Sequence, residues 1–296
     1  MPSTGSIYAK PIKECLVPFP GEVIYAVDLS ALEDRVIASL SKDVNKCSIF
    51  KDGLDGHSLN ACAYFKDKLV PILGENTDNV EYVKKFMKEV DSGNKEIKTI
   101  RQEGKGPTFG LAYGAYPPKI AATIKCSLEE ATQIFDRYHD ELYAGISDYR
   151  ENYVAKSARE NGYIHLLFGL LLRTNDVDKD IRTLNNATVQ SFSLITLIAK
   201  CIVAEQIEEA NKQTEIRTIA TIYDSIYYSV KPTVENIKWL NDRVIPALTQ
   251  PYIVDEEVSN EAEGEIGMNF ADLIAVPNNA SEEVIDKLIK EITCKK

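Results

Sequence analysis

Two strongly apolar stretches, each ending at an aspartate and lying almost two hundred residues apart, constrain this chain more than any other feature of it. Residues 22–28 (Glu-Val-Ile-Tyr-Ala-Val-Asp) read as a buried strand closing on Asp28. Ile216 to Tyr223 and Ile226 to Val230 read as strands flanking Asp224-Ser225, a two-residue turn that places one carboxylate at a hairpin tip. If these strands share a sheet, two negative charges come close together, which is costly unless cations occupy the space between them. Two magnesium ions about 3.5–4 Å apart, held by such a pair, are the device of in-line phosphoryl transfer. Taken singly, Asp28 is better read as the cap of the following helix, and Asp224 as a turn residue.

Between these strands the periodicity is helical. A helix is expected at Ala31 to Ser41, and from about 46 to 160 the pattern breaks only at 74–76, 92–94 and 116–118, where Gly, Asn and Pro gather. Residues 162–173 suggest a short hairpin, and Asn186 to roughly Ala210 one long amphipathic helix. The first ten residues and the acidic stretch Asp255 to Glu265 read as loose. The order predicts an α+β fold, a sheet domain with an inserted helical subdomain.

Composition narrows the chemistry. With 34 basic against 45 acidic residues the net charge is −11, which disfavours a free-standing nucleic-acid binder unless basic groups collect locally. Six cysteines without a CxxC pair and three scattered histidines leave any metal to carboxylates, and so to hard cations such as magnesium. The best apolar run, Leu194 to Ala204, is interrupted by Lys200 and falls short of the roughly 18–20 residues of a membrane span. With no secretory pattern at Met1-Pro-Ser-Thr-Gly, the expectation is a cytoplasmic protein with no membrane partner.

Two side-chain lines have a step of four. Arg101, Lys105, Phe109 and Tyr113, followed by Gly114, put two cations and then two aromatics on one helical face over about 18 Å, a layout suited to a triphosphate at one end and a sugar and base at the other. Gly106-Pro107 falls inside it. Proline in a helix interior costs about 3 kcal/mol, so the helix either kinks there or restarts at Pro107. Arg182, Asn186 and Gln190 form the second line, able to reach sugars and base edges without reading sequence.

These stretches, in this order, resemble the motifs of family A DNA polymerases, the group of bacterial DNA polymerase I and many phage replicases. Val27 to Val36, with Asp28, Glu33 and Arg35, is similar to motif A; Arg101 to Gly114 to motif B; and Ile222-Tyr223-Asp224-Ser225 stands at motif C. Asp55-Gly-His57-Ser resembles the family's Asp-Ile-His-Thr segment, Gly162 to Arg173 its Gly-Tyr-x-x-x-Leu-Phe-Gly hairpin, and Gly267-Met-Asn-Phe270 its Gly-x-x-Trp segment. The likeness spans about residues 8–275. It implies a palm over 1–45 and 179–275, helical fingers over 46–178 and a helical tail over 276–296.

Carried over residue by residue, the resemblance gives Asp28, Asp224 and the Leu29 carbonyl to two Mg2+ ions, for which Mn2+ is a substitute. Lys105 and Arg101 would neutralise the triphosphate with help from His57. Glu33 would close the space beside the sugar 2′ carbon, with Tyr113 packed beside it and Phe109 at the 3′ side. Arg182, Asn186, Gln190 and Tyr223 would touch primer-template DNA. The implied activity is a DNA-directed DNA polymerase that extends a primer with deoxynucleoside triphosphates, in a bacterial or phage-infected cytoplasm.

Two departures shape the expectation. Motif C usually reads His-Asp-Glu in this family, and here its second carboxylate is replaced by Ser225. Only 27 residues precede Asp28, where the family places part of the palm, a thumb and usually an exonuclease, so a second polypeptide carrying those parts is expected. The alternatives are a single-subunit RNA polymerase relative, which carries Asp-Ser at this place, and a catalytically silent subunit that binds DNA or a polymerase.

Overall fold

A computed structural model gives the fold, and the structure describes residues 8–112, 114–252 and 258–294. The described residues include seven strands: β1 (Val23–Leu29), β2 (Tyr163–His165), β3 (Leu171–Arg173), β4 (Ile216–Ile222), β5 (Ser225–Val230), β6 (Ala262–Gly267) and β7 (Leu273–Val276). The rest of the regular structure is almost entirely helical, so the fold is α+β. The chain divides into two compact units, one of residues 8–32, 192–252 and 259–294 and the other of 33–191.

The first unit holds an antiparallel sheet in the order β4-β5-β1-β6-β7. β1 takes the centre because Val23 to Val27 are apolar without interruption and can be covered on both faces; none of the five exceeds 5% exposure. Helices Leu194–Glu209, Val234–Leu248 and Glu282–Cys294 pack against the sheet. The Tyr25 hydroxyl donates to Asn241 Oδ1 of the second helix at 2.6 Å, so Tyr25 and its cross-strand partners Tyr228 and Ile266 face the helices. Asp28 has the opposite parity along β1 and lies on the other face.

The second unit is built of helices around a core that includes Leu59, Leu69, Val83, Phe86, Ile97 and Ile120. The β2–β3 hairpin, Tyr163 opposite Arg173, also belongs to it. Helix Gly56–Tyr64 begins at Asp55, whose side chain accepts from the Ser58 N–H.

Four local expectations are corrected. The turn between β4 and β5 is Tyr223-Asp224, not Asp224-Ser225, because Ser225 is already paired with Asp28 and belongs to the strand. The long helix starts earlier, at Val177 after the Asp176 cap, and Ser191–Ser193 breaks it into Val177–Gln190 and Leu194–Glu209. At that break the Ser191 hydroxyl donates to the Thr188 carbonyl and Thr196 to the Ser193 carbonyl, side chains competing for the helix's own acceptors. Helix Lys95–Ala112 neither stops nor restarts at Pro107. Part of the supposedly loose acidic stretch is β6, in which exposed Glu263 and Glu265 alternate with buried Ala262, Gly264 and Ile266.

The run Val177–Glu209 is long and apolar enough, by length and composition, to cross a membrane despite Lys200. In its second half Ile195, Ala199, Val203 and Ile207 are buried at steps of four, and this helix packs against β4, β5 and helix Val234–Leu248 as a core helix does.

Candidate active site

Strand register assembles the carboxylates. Asp28 is directly opposite Ser225 on β5 and Glu263 on β6, so one row of side chains crosses three strands on the face away from the helices. The Ser225 hydroxyl donates to Asp28 Oδ1 at 2.6 Å. One step further along, the Leu29 N–H donates to the Asp224 carbonyl at 3.2 Å. Since a strand residue's N–H and C=O point the same way, the Leu29 carbonyl is aimed to the Asp224 side.

Burial pushes the Asp28 carboxyl up to about 6; the Ser225 hydrogen bond opposes the rise, and the nearby Asp224 and Glu263 charges add to it. Glu265 is also raised, first by burial and then by Asp28 and Glu263. Carboxylates raised in this way are kept from water first and stand beside like charges second. Two carboxylates and a carbonyl are hard oxygen donors, and the site therefore suits a hard divalent cation. Among the described residues no three His, Cys, Asp or Glu side chains are grouped to hold a metal ion, so other ligands would come from phosphate and water.

Tyr223, 58% exposed, stands at the hairpin tip with φ +60°, a left-handed conformation unusual for a bulky residue. The Thr196 hydroxyl shares its one proton between the Ser193 carbonyl at 2.6 Å and the Tyr223 carbonyl at 3.0 Å.

The second unit gathers cations. Helix Lys95–Ala112 approaches helix Gly56–Tyr64 closely because Gly104 has no Cβ; one placed there would come within 3.2 Å of the Ala61 Cβ. Thr108 locks the contact, accepting from Asn60 Nδ2 at 3.0 Å and donating to the Gly104 carbonyl at 2.7 Å. Arg101 donates from Nε and Nη2 to the two oxygens of Asp55 at 2.7 and 2.9 Å. Burial alone would raise Asp55, but hydrogen bonds from Arg101 and Ser58 outweigh it and hold the carboxyl at about 2. His57 is lowered chiefly by burial; Lys105 and Arg101 lower it further against the pull of Asp55 and Asp34, so it stays neutral at neutral pH. Lys105, Arg101 and His57 thus share one neighbourhood. Phe109 lies in the same helix, while Tyr113 falls outside the described residues.

Glu33 sits half-buried in the first turn of helix Leu32–Ser41. Arg182, Asn186 and Gln190 occupy one side of helix Val177–Gln190. The Arg182 Nη1 donates to the Gly114 carbonyl at 2.9 Å, and its guanidinium lies 5.4 Å from the Tyr116 ring centre. Gly114 has φ +76°, and a Cβ on it would overlap the Arg182 side chain.

Residues 4–272 match the family model for DNA polymerase family A. The chain belongs to that family. It is 27% identical to DNA polymerase I of Caldicellulosiruptor bescii over 259 residues, covering 83% of this chain and 27% of that protein. It is 31% identical to a DNA polymerase of Mycobacterium phage D29 over 153 residues, 52% of this chain and 21% of that one. In fold it is similar to the POL domain of Pol1 from M. smegmatis, solved in complex with DNA primer-template and dNTP, with a TM-score of 0.70 and 22% identity over 91% of this chain and 44% of that chain. The chain therefore spans about a quarter of the curated relatives it matches.

For this family A chain, sequence reasoning missed three partners. Ser225 is a donor to Asp28 rather than merely a lost carboxylate, Glu263 faces Asp28 from the other side, and Asp55 holds Arg101. The alternation Glu261-Ala-Glu263-Gly-Glu265 was the available signal for the second. The other two are tertiary pairings with no local signature.

Proposed function

We propose that this chain is the palm and fingers of a template-directed DNA polymerase, adding deoxynucleotides to a primer 3′ end. The observation that supports it best is Asp28 and Asp224 at one end of adjoining strands, with the Asp28 carboxyl held near 6 by burial and crowded charge. Two Mg2+ ions bound there would supply a lowered pKa for the primer hydroxyl and neutralisation of charge building on the phosphate and the leaving oxygen.

The chain's own residues do the rest. Asp28, Asp224 and the Leu29 carbonyl would hold the ions. The primer 3′ oxygen bonds to the α-phosphorus, the bond to the bridging oxygen breaks, pyrophosphate departs and the hydroxyl proton passes to solvent. Lys105 and Arg101 orient and neutralise the triphosphate; neutral His57 adds a hydrogen bond without adding charge. Glu33 excludes a 2′ hydroxyl, with Phe109 and Tyr113 lining the sugar and base. Arg182, Asn186, Gln190 and Tyr223 hold primer-template DNA.

A thumb and any exonuclease would come from outside these residues, and the activity is expected in the cytoplasm of a bacterium or phage-infected host. Ser225 at motif C also suits an RNA polymerase relative. Primer extension with deoxy- and ribonucleotides in parallel, with and without co-expressed neighbouring gene products, tests all of this. Deoxynucleotide incorporation that Asp28→Ala abolishes is expected; ribonucleotide preference would favour the second reading, and DNA binding without incorporation would overturn both.

A further inference from the structure

The row across β5, β1 and β6 contains an asymmetry. Asp28 stands beside the Asp224 and Glu263 charges, both of which act on its carboxylate, while Ser225 is the one neutral side chain in that row and donates to Asp28 Oδ1 at 2.6 Å. An aspartate carboxylate turns about a broad sp3–sp2 torsion, so repulsion alone does not select which oxygen points where. A short hydrogen bond to a charged oxygen does. Two residues along β5 and on the same face, the Tyr227 ring is stacked on Phe270, with ring centres 4.2 Å apart and 11° between the planes.

We propose that Ser225 is a positioning residue that fixes the Asp28 carboxylate by engaging Oδ1, leaving Oδ2 to meet a divalent cation. The proposal rests on the metal reading of Asp28 and Asp224 above and assigns Ser225 an active part in it. Serine at this place is then not a gap in the ligand set but the donor that lets one carboxylate keep a single orientation beside two like charges. Removing the hydroxyl frees Oδ1 and lets the carboxylate turn, which weakens cation binding without touching the duplex.

The test uses the full chain with Ser225→Ala, Ser225→Thr and Asp28→Ala, and reads two quantities. Mn2+ affinity is measured from the EPR signal of free ion, and the Mg2+ concentration for half-maximal primer extension is measured in parallel. Loss of one hydrogen bond to a charged group predicts about a tenfold weaker Mn2+ affinity and about a tenfold higher Mg2+ requirement in Ser225→Ala. Ser225→Thr should stay within about twofold of the parent because it keeps the hydroxyl. Primer-template affinity should not change. Should Ser225→Ala fail to fold, Ser225→Cys replaces it, being similar in size and a poor donor.

Unchanged Mn2+ affinity in Ser225→Ala, or equal weakening in Ser225→Ala and Ser225→Thr, overturns the proposal. The polymerase reading fails separately, if Asp28→Ala leaves extension intact; the Mn2+ measurement still decides the role of Ser225 in that case.

Discussion

The sheet unit and the helical unit bring charge together by opposite means. In the first, Asp28 meets Ser225 and Glu263 only because β1 lies between β5 and β6 in a fixed register, so residues far apart in sequence are set by backbone hydrogen bonds. In the second, Arg101 and Lys105 are one helical turn apart, and His57 is brought to them by a glycine-sized contact between two helices. In the sheet, burial and then like charges raise a carboxyl; in the helices Arg101 is paired with Asp55. A fixed register tolerates repulsion that a pair of surface side chains would simply move to escape. The helical unit, with nothing so rigid, pairs its charge.

That contrast can be broken. Asp28→Ala and Asp224→Ala should each lower nucleotide incorporation by about a thousandfold or more in single-turnover primer extension, with little change in melting temperature. Glu263 is near enough to be considered a substitute, and appreciable activity in either variant would show that the register does not fix a unique ligand pair.

The next effect separates the cations. Lys105→Ala should raise the nucleotide KM by about tenfold with the fold unaltered, whereas Arg101→Ala should also destabilise the protein by about 1 kcal/mol because it strands Asp55. Equal melting temperatures for the two variants would mean the Arg101–Asp55 pair contributes nothing to the fold.

A smaller effect probes the helical unit alone. Gly114→Ala forces a side chain into φ +76° and against Arg182, and should cost about 1–2 kcal/mol by chemical denaturation. Arg182→Ala should not restore all of it, since the backbone conformation remains.

The smallest concerns charge in the sheet with divalent ions chelated. The folded-state carboxyl of Asp28 lies near 6, above its ordinary 3.8, so its burial costs nothing well below pH 4, costs more as pH rises through 6, and costs most above it. Asp28→Asn should therefore raise the melting temperature at pH 8, by about 1 kcal/mol or less in stability because the group is partly exposed, and the gain should vanish near pH 4. Added Mg2+ should stabilise the parent and not the variant. A gain that is constant with pH would mean that the crowding is not electrostatic.

How much of this was legible in the sequence follows the same division. The strand ending in Asp28 was readable because its apolar run needs two covered faces, and the Arg101–Lys105 line because a helix repeats locally. The carboxylate of Glu263 was hidden by its setting among acidic residues, although its alternation with Ala262 and Gly264 has the period of a strand. The helix break at Ser191–Ser193 was unreadable because the Ser191 and Thr196 hydroxyls compete with the backbone only once their acceptors are in place. Pro107 misled for a related reason: helix packing at Gly104 and Thr108 supports a turn that propensity alone would break.

Tyr223 shows what the sheet unit gives up. A left-handed tyrosine at a hairpin tip is roughly 1 kcal/mol less comfortable than glycine, and it persists because the ladder on either side and the Thr196 hydroxyl leave it no other conformation. The neighbouring aspartate thereby inherits its place from a strained residue. Selection for stability alone would drift this position toward glycine or asparagine. An aromatic 58% exposed at that tip presents its ring to whatever meets the hairpin from outside, and sequence variation among relatives at this position is where a shared use of that ring would be read.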